Sequence, residues 1–166
     1  DTGELIALAR VAGRHGGMYV SHIRDEGDRL LESIDELITI AREADVPAEV
    51  YHLKASGQAN WPKLETAIER IGQARANGLA ITADIYTYHA SSTGLHVQLP
   101  DWARDGGIDA AIARLKDPAT RARILSEVTF RNGPDSILLV GFRNPELRKY
   151  IGRRLDELAA ELGKSP

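Results

Sequence analysis

The feature that most constrains the fold of this chain is a repeated alternation of short apolar runs with stretches of helical periodicity. Apolar residues recur at helical spacing in three stretches, which predicts helices over residues Thr2–Arg14, 28–44 and 63–77. Thr2 is the predicted N-cap of the first helix. Short apolar runs follow or separate these helices and predict strands over residues 18–22, 48–53 and 79–86. Such alternation with short connections favours parallel strands joined by right-handed crossovers.

The size of the repeat narrows the fold class further. The sequence separation is 30 residues from His22 to His52 and 34 residues from His52 to Tyr86. Both values are close to the roughly 31 residues per unit expected when about 250 residues form eight βα units. We therefore predict an α/β fold, a partial (β/α)8 TIM-like barrel of about four parallel βα units. A doubly wound sheet would give the same alternation and stays open as an alternative.

The alternation is interrupted in the second half of the chain. Residues 99–131 contain two short predicted helices, over 108–115 and 118–128, and we interpret this segment as a helical insertion at the end of a strand. Residues 136–141 are then the predicted fourth strand, and residues 147–162 carry an amphipathic helical pattern.

Composition excludes several classes of function. The 166 residues are 43% hydrophobic and carry a net charge of −3 with interspersed signs, so we expect no nucleic-acid partner. No apolar run approaches the roughly 20 residues of a membrane helix, and no signal-peptide pattern is present, so we expect no membrane association and a cytoplasmic location. The absence of cysteine leaves His, Asp and Glu as potential metal ligands.

Two histidines lie at the carboxyl ends of the first two predicted strands, where the active site of an α/β barrel lies. Imidazoles from adjacent strands can converge on one metal ion, so His22 and His52 are candidate metal ligands. A single histidine at a strand end is more often structural, and Lys54 and Tyr86 taken alone are more often a solvated lysine and a packed rim tyrosine. For Glu26, a salt-bridged cluster with its sequence neighbours is the favoured interpretation.

Three ordered sequence runs resemble one enzyme family. They are Gly-Gly-Met-Tyr-Val-Ser-His-Ile-Arg-Asp-Glu at 16–26, Tyr-His-Leu-Lys-Ala-Ser-Gly at 51–57, and Ala-Asp-Ile-Tyr-Thr-Tyr-His-Ala-Ser-Ser-Thr-Gly-Leu at 83–95. Together they resemble the N-acyl-D-amino-acid deacylases (D-aminoacylases) of the amidohydrolase superfamily. The resemblance implies zinc-dependent hydrolysis of the amide bond of a small N-acyl amino acid.

The resemblance also implies roles for individual residues. His22 and His52 match two zinc ligands of an enzyme that holds one or two ions, and Lys54 and Tyr86 match residues that hold the substrate's α-carboxylate. Arg24 and His89 are further candidate site residues. His89 follows Tyr86-Thr87-Tyr88, where the family usually has Tyr-Pro-Tyr. A substrate-loop role is preferred for His89, and an extra metal ligand is the alternative.

Other parts of the family's site have no counterpart in this sequence. It contains no His-x-His pair and no cysteine, and the family's catalytic aspartate is not matched. We therefore interpret residues 1–166 as an internal fragment of a metal-dependent hydrolase barrel and expect the fragment alone to be inactive. Self-association through exposed barrel edges is a further expectation. The alternative function is a non-catalytic α/β module for small-molecule binding or assembly.

Overall fold

The computed structural model describes residues 1–130 and 132–166. These residues form two compact units, Asp1–His89 and Ala90–Pro166. The first unit contains the helices and strands α1 (Thr2–Arg14), β1 (Tyr19–Ser21), α2 (Leu30–Ala44), β2 (Ala48–Val50), α3 (Lys63–Ala76) and β3 (Ile81–Ala83). A single-turn 3-10 helix over Gln58–Asn60 precedes α3.

The three strands form a parallel sheet in the order β1-β2-β3. Tyr19 is in register with Ala48, and Ala48 with Ile81. The predicted α/β class with parallel strands is therefore confirmed. Each strand is shorter than predicted and spans three residues. Because the strands are parallel, the residues that follow them lie along one edge of the sheet.

The core of this unit lies between the sheet and the helices α2 and α3. Fully buried side chains on α2 meet buried side chains on the central and outer strands. They are Leu30, Ile34, Leu37, Val50 and Ile81. A second cluster joins α1 to an adjacent face of α2 and contains Ala9, Ile40, Ala44 and Val46. Helix α2 is thus buried on two sides, which holds the β1–α2–β2 unit together.

The helix boundaries follow from local hydrogen bonds. Asp1, and not Thr2 as predicted, is the N-cap of α1, because its carboxylate accepts a hydrogen bond from the Glu4 amide at 2.8 Å. Helix α2 begins two residues later than predicted. The preceding loop is held by the Asp25 carboxylate, which accepts from the amide of Gly27 at 2.6 Å and from that of Arg29 at 3.2 Å.

The second unit is mostly helical and contains α4 (Asp101–Arg104), α5 (Gly107–Lys116), α6 (Pro118–Glu127) and α7 (Leu155–Glu161). Helices α5 and α6 occupy the positions predicted from sequence, and the Asp117 carboxylate caps α6 by accepting from the Thr120 amide at 2.7 Å. Residue 131, the end of the predicted insertion, lies outside the described residues. That residues 99–131 are an insertion stays a prediction.

The predicted fourth strand at 136–141 is wrong. Its backbone pairs with the nearby chain, where Leu139 donates to the Arg153 carbonyl at 2.9 Å and Gly152 donates to the Leu139 carbonyl at 2.8 Å. The result is one isolated antiparallel bridge between Leu138 and Arg154. These local partners satisfy backbone groups that a strand would have offered to the parallel sheet.

The predicted helix at 147–162 is also wrong in its first half. Residues Pro145–Tyr150 form a 3-10 helix, and Gly152 has φ +86, which ends any continuous helix there. Within residues 147–162, regular α-helix is confined to α7. No helix in the described parts of the chain is long and apolar enough to cross a membrane.

Candidate metal centre

The carboxyl-terminal edge of the sheet brings the two predicted metal ligands together. His22 directly follows β1, and His52 lies two residues beyond the end of β2. The Tyr51 amide donates to the Ser21 carbonyl at 2.9 Å and extends the pairing of β1 and β2 to this point. As a result, His22 Nδ1 lies 3.0 Å from His52 Nε2.

His52 adopts an unusual backbone conformation. Its φ of +40 lies in the left-handed region, which costs about 1–3 kcal/mol for a residue other than glycine. The Asp84 carboxylate, just beyond β3, accepts a hydrogen bond from the His52 amide at 2.5 Å and stabilises this turn. The two imidazole rings meet edge to face, with their centroids 4.7 Å apart.

Glu26, for which the sequence favours only a salt-bridged cluster, lies beside the two histidines. Its Oε1 lies 2.9 Å from His52 Nδ1 and 3.4 Å from His22 Nδ1. Only 13% of the Glu26 side chain is exposed. The potential ligand atoms of His22, Glu26 and His52 all lie within 4.8 Å of one another. An acidic residue four positions after a strand-end histidine, in the same loop, is the sequence signal that could have indicated it.

The donor set fits a zinc ion. Two nitrogens bound to tetrahedral zinc at roughly 2.0–2.1 Å would lie about 3.3 Å apart. The observed separation of 3.0 Å between His22 Nδ1 and His52 Nε2 differs from this value by a few tenths of an ångström. Imidazole nitrogens and carboxylate oxygens are ordinary zinc ligands. His22 and His52, with the Glu26 carboxylate beside them, could therefore hold a metal ion.

Lys54 and Tyr86, the predicted substrate-binding residues, lie next to this cluster. Lys54 Nζ donates to Glu26 Oε1 at 2.5 Å and to the His52 carbonyl at 3.1 Å, and it lies 2.8 Å from His52 Nδ1. The same nitrogen is 5.7 Å from the centre of the Tyr86 ring. A positive charge thus lies beside the pair of imidazoles, where it could receive an anionic group.

Arg24 and His89, the two further candidate site residues, are not part of the cluster. Arg24 donates from both Nε and a terminal nitrogen to the two carboxylate oxygens of Glu36 on α2, each at 2.9 Å. These hydrogen bonds hold the pKa of Glu36 below its ordinary value and raise the pKa of Arg24. The Thr2 hydroxyl also donates to Glu36, at 2.6 Å. His89 is exposed in the segment after β3.

The amino-acid sequence is similar to the sequences of deacylases. It is 34% identical over 137 residues to an N-acyl-D-glutamate deacylase from Alcaligenes xylosoxydans xylosoxydans, covering 82% of the chain and 28% of the relative. It is 37% identical over 94 residues to a D-aminoacylase from the same organism, covering 57% of the chain and 19% of the relative. No protein-family profile matches the sequence.

Solved structures of deacylases are similar to the structure of this chain. An N-acyl-D-glutamate deacylase from Bordetella bronchiseptica, complexed with zinc and a phosphonate mimic of the tetrahedral intermediate, aligns with a TM-score of 0.70 at 26% identity. A D-aminoacylase described as defining a novel subset of amidohydrolases aligns with a TM-score of 0.66 at 28% identity. Both alignments cover 99% of the chain and 28% of the solved protein. The chain therefore spans less than a third of the length of these relatives.

Proposed function

Because the chain is a relative of the N-acyl-D-amino-acid deacylases, a group of amidohydrolases, we propose that its full-length protein hydrolyses the amide bond of N-acyl-D-amino acids with zinc. The observation that carries this proposal is the convergence of His22 Nδ1 and His52 Nε2 to 3.0 Å at the ends of adjacent parallel strands. Residues at this edge of a parallel sheet are the usual source of catalytic groups.

The predicted metal ligands and the predicted substrate-binding residues have separate tasks in this proposal. His22 and His52 bind the metal through the two facing nitrogens. A zinc ion held there would act as a Lewis acid on an amide carbonyl and make a water molecule more acidic. Lys54 binds the α-carboxylate of the substrate through its ammonium group, with the Tyr86 ring beside it. We assign no general base to any residue that the structure describes, and we propose that the chain alone is inactive.

We also propose that β1, β2 and β3 are successive strands of a (β/α)8 barrel in the full-length protein. Three observations support this: the strands are parallel, their order in the sheet equals their order in the sequence, and a helix follows each of the first two. Within the described residues, β1 and β3 each pair with one strand, which leaves an edge on each for further strands. A crystal structure of the full-length protein in which other elements separate these strands would contradict the barrel.

The test of the function uses the full-length protein. We expect it to release free amino acid from N-acetyl-D-amino acids and to contain bound zinc. His22→Ala and His52→Ala should each lower zinc occupancy, and should reduce kcat/KM by at least the roughly 10- to 100-fold typical of losing a supporting group at a metal site.

The matched control is His15→Ala, since His15 is exposed at the end of α1. This variant should retain the zinc content and activity of the unaltered enzyme. Full zinc occupancy and full activity in both His22→Ala and His52→Ala would contradict the proposal.

A further inference from the structure

We propose that Glu26 is a positioning residue that holds His52 in its metal-binding orientation and, through the same oxygen, holds Lys54 beside it for the substrate carboxylate. This inference rests on the proposed function, because it concerns how the zinc ligand and the substrate-binding cation are kept in register. Neither the family resemblance nor the strand-end pattern assigns a role to Glu26.

The contacts of Glu26 converge on one atom. Its Oε1 lies 2.9 Å from His52 Nδ1 and 2.5 Å from Lys54 Nζ. The Glu26 backbone is anchored as well, because its carbonyl accepts a hydrogen bond from the Ser56 amide at 2.6 Å. With 13% of its side chain exposed, this carboxylate is largely shielded from water, and its charge acts strongly on the two neighbours.

The position of the His52 ring shows why an acceptor is needed at this point. Its Nε2 faces His22, so Nδ1 is the nitrogen that points toward Glu26. A metal-binding histidine commonly donates its other ring N–H to a carboxylate, which fixes the tautomer and the ring orientation. Donation from Nδ1 to Glu26 leaves the lone pair of Nε2 free for the metal.

Lys54 could otherwise impose the opposite tautomer. Its Nζ lies 2.8 Å from His52 Nδ1, and an ammonium can only donate hydrogen bonds. Donation from Lys54 to Nδ1 would place the ring proton on Nε2 and close that nitrogen to a metal. Because Glu26 accepts from both groups, Lys54 can donate to the carboxylate and to the His52 carbonyl instead, with its third N–H left for a substrate.

The short contact to Lys54 also argues against Glu26 as a third metal ligand. The oxygen closest to His22 and His52 is the same Oε1 that binds the ammonium. A metal dication on that oxygen would lie within a few ångströms of the lysine charge, and the two cations would repel each other. The arrangement is better satisfied with Glu26 between the ligand His52 and Lys54.

The test compares Glu26→Ala and Glu26→Gln with the unaltered full-length protein. Zinc affinity is measured by chelator competition, and KM and kcat are measured on an N-acyl-D-amino acid and on an N-acyl amine of the same shape without the carboxylate. We expect Glu26→Ala to weaken zinc binding about 10- to 100-fold. We also expect it to raise KM for the carboxylate substrate more than for the neutral one. Glu26→Gln keeps an acceptor oxygen and should lose less of both properties.

Glu32→Gln is the control, because Glu32 lies exposed on α2 and carries the same charge.

Thermal unfolding identifies a purely structural role: lower stability with unchanged zinc affinity and unchanged substrate discrimination would overturn the proposal. Loss of zinc with unchanged discrimination would make Glu26 a metal ligand only and would also overturn it. If Glu26→Ala does not fold, the near-isosteric Gln variant decides. An unaltered protein that binds zinc but has no deacylase activity would refute the proposed function, while the zinc measurement still tests Glu26.

Discussion

In the proposed function, the charge of Lys54 links the candidate metal centre to the substrate. Its side chain is 24% exposed, so the ammonium is accessible from solvent although it donates to Glu26 Oε1 and to the His52 carbonyl. A bond between an ammonium and a carboxylate is charge-assisted and is worth roughly twice a neutral hydrogen bond. The gain applies only to substrates that carry a carboxylate.

We therefore predict that Lys54→Ala in the full-length protein lowers kcat/KM for N-acyl-D-amino acids by roughly 10- to 100-fold, the loss expected for one hydrogen bond to a charged group. Neutral N-acyl amides should lose much less. Steady-state kinetics on the two substrate classes measures the difference, with Lys116→Ala on the exposed surface of α5 as the control. Equal losses on both classes would show that Lys54 does not bind the carboxylate.

At the scale of secondary-structure elements, Asp84 links the end of β3 to the end of β2 through hydrogen bonds. Its carboxylate accepts from the His52 amide at 2.5 Å, its carbonyl accepts from the Leu53 amide at 2.9 Å, and its own amide donates to the Val50 carbonyl at 3.2 Å. These three bonds continue the sheet beyond its three regular residue pairs. They also hold the left-handed turn that directs His52 toward His22.

We predict that Asp84→Ala lowers the free energy of unfolding by about 1.5–3 kcal/mol, the contribution of a hydrogen bond to a charged group. It should also weaken zinc binding, because the turn at His52 loses its support. Asp84→Asn keeps an acceptor oxygen and should cost less. Urea unfolding and chelator competition on the full-length protein measure both effects. Unchanged zinc affinity in Asp84→Ala would show that the His52 turn is held without this bond.

Helices whose apolar periodicity extends over many residues could be predicted from the sequence alone. The bounds of α1 agree with the prediction, and α3 ends within one residue of it, because many turns contribute to the pattern. Local periodicity does not determine which segments pair as strands. Residues 136–141 have an apolar pattern that suits a strand, yet their partners are residues 152–155, and only the folded chain determines that choice.

The same distinction holds for the candidate site. His22 and His52 could be predicted because parallel strands place their ends at one edge, which is a consequence of topology. The position of Glu26 depends on a loop whose shape is set by the Asp25 carboxylate and by a backbone bond to Ser56, 30 residues away in sequence. Contacts of this kind do not follow from local periodicity.

At the scale of the whole molecule, the outer strands of the first unit leave backbone groups without strand partners among the described residues. Strand β1 pairs with β2 on one side, and β3 pairs with β2 on one side. Apolar side chains are exposed on these strands or beside them, including Val20 at 46% and Ile85 at 68%. Open edges with exposed apolar side chains favour pairing with another chain.

We therefore predict that the isolated 166-residue chain self-associates, with a mass above 18.1 kDa in size-exclusion chromatography with light scattering. Val20→Lys should shift it toward the monomer, because a charge on an edge strand disfavours strand pairing. Ile68→Lys is the matched control, since Ile68 is 55% exposed but lies on the helix α3 and not on an edge strand. A chain that stays monomeric at all concentrations would show that the edges are covered. Equal shifts in both variants would show that net charge, and not edge pairing, controls association.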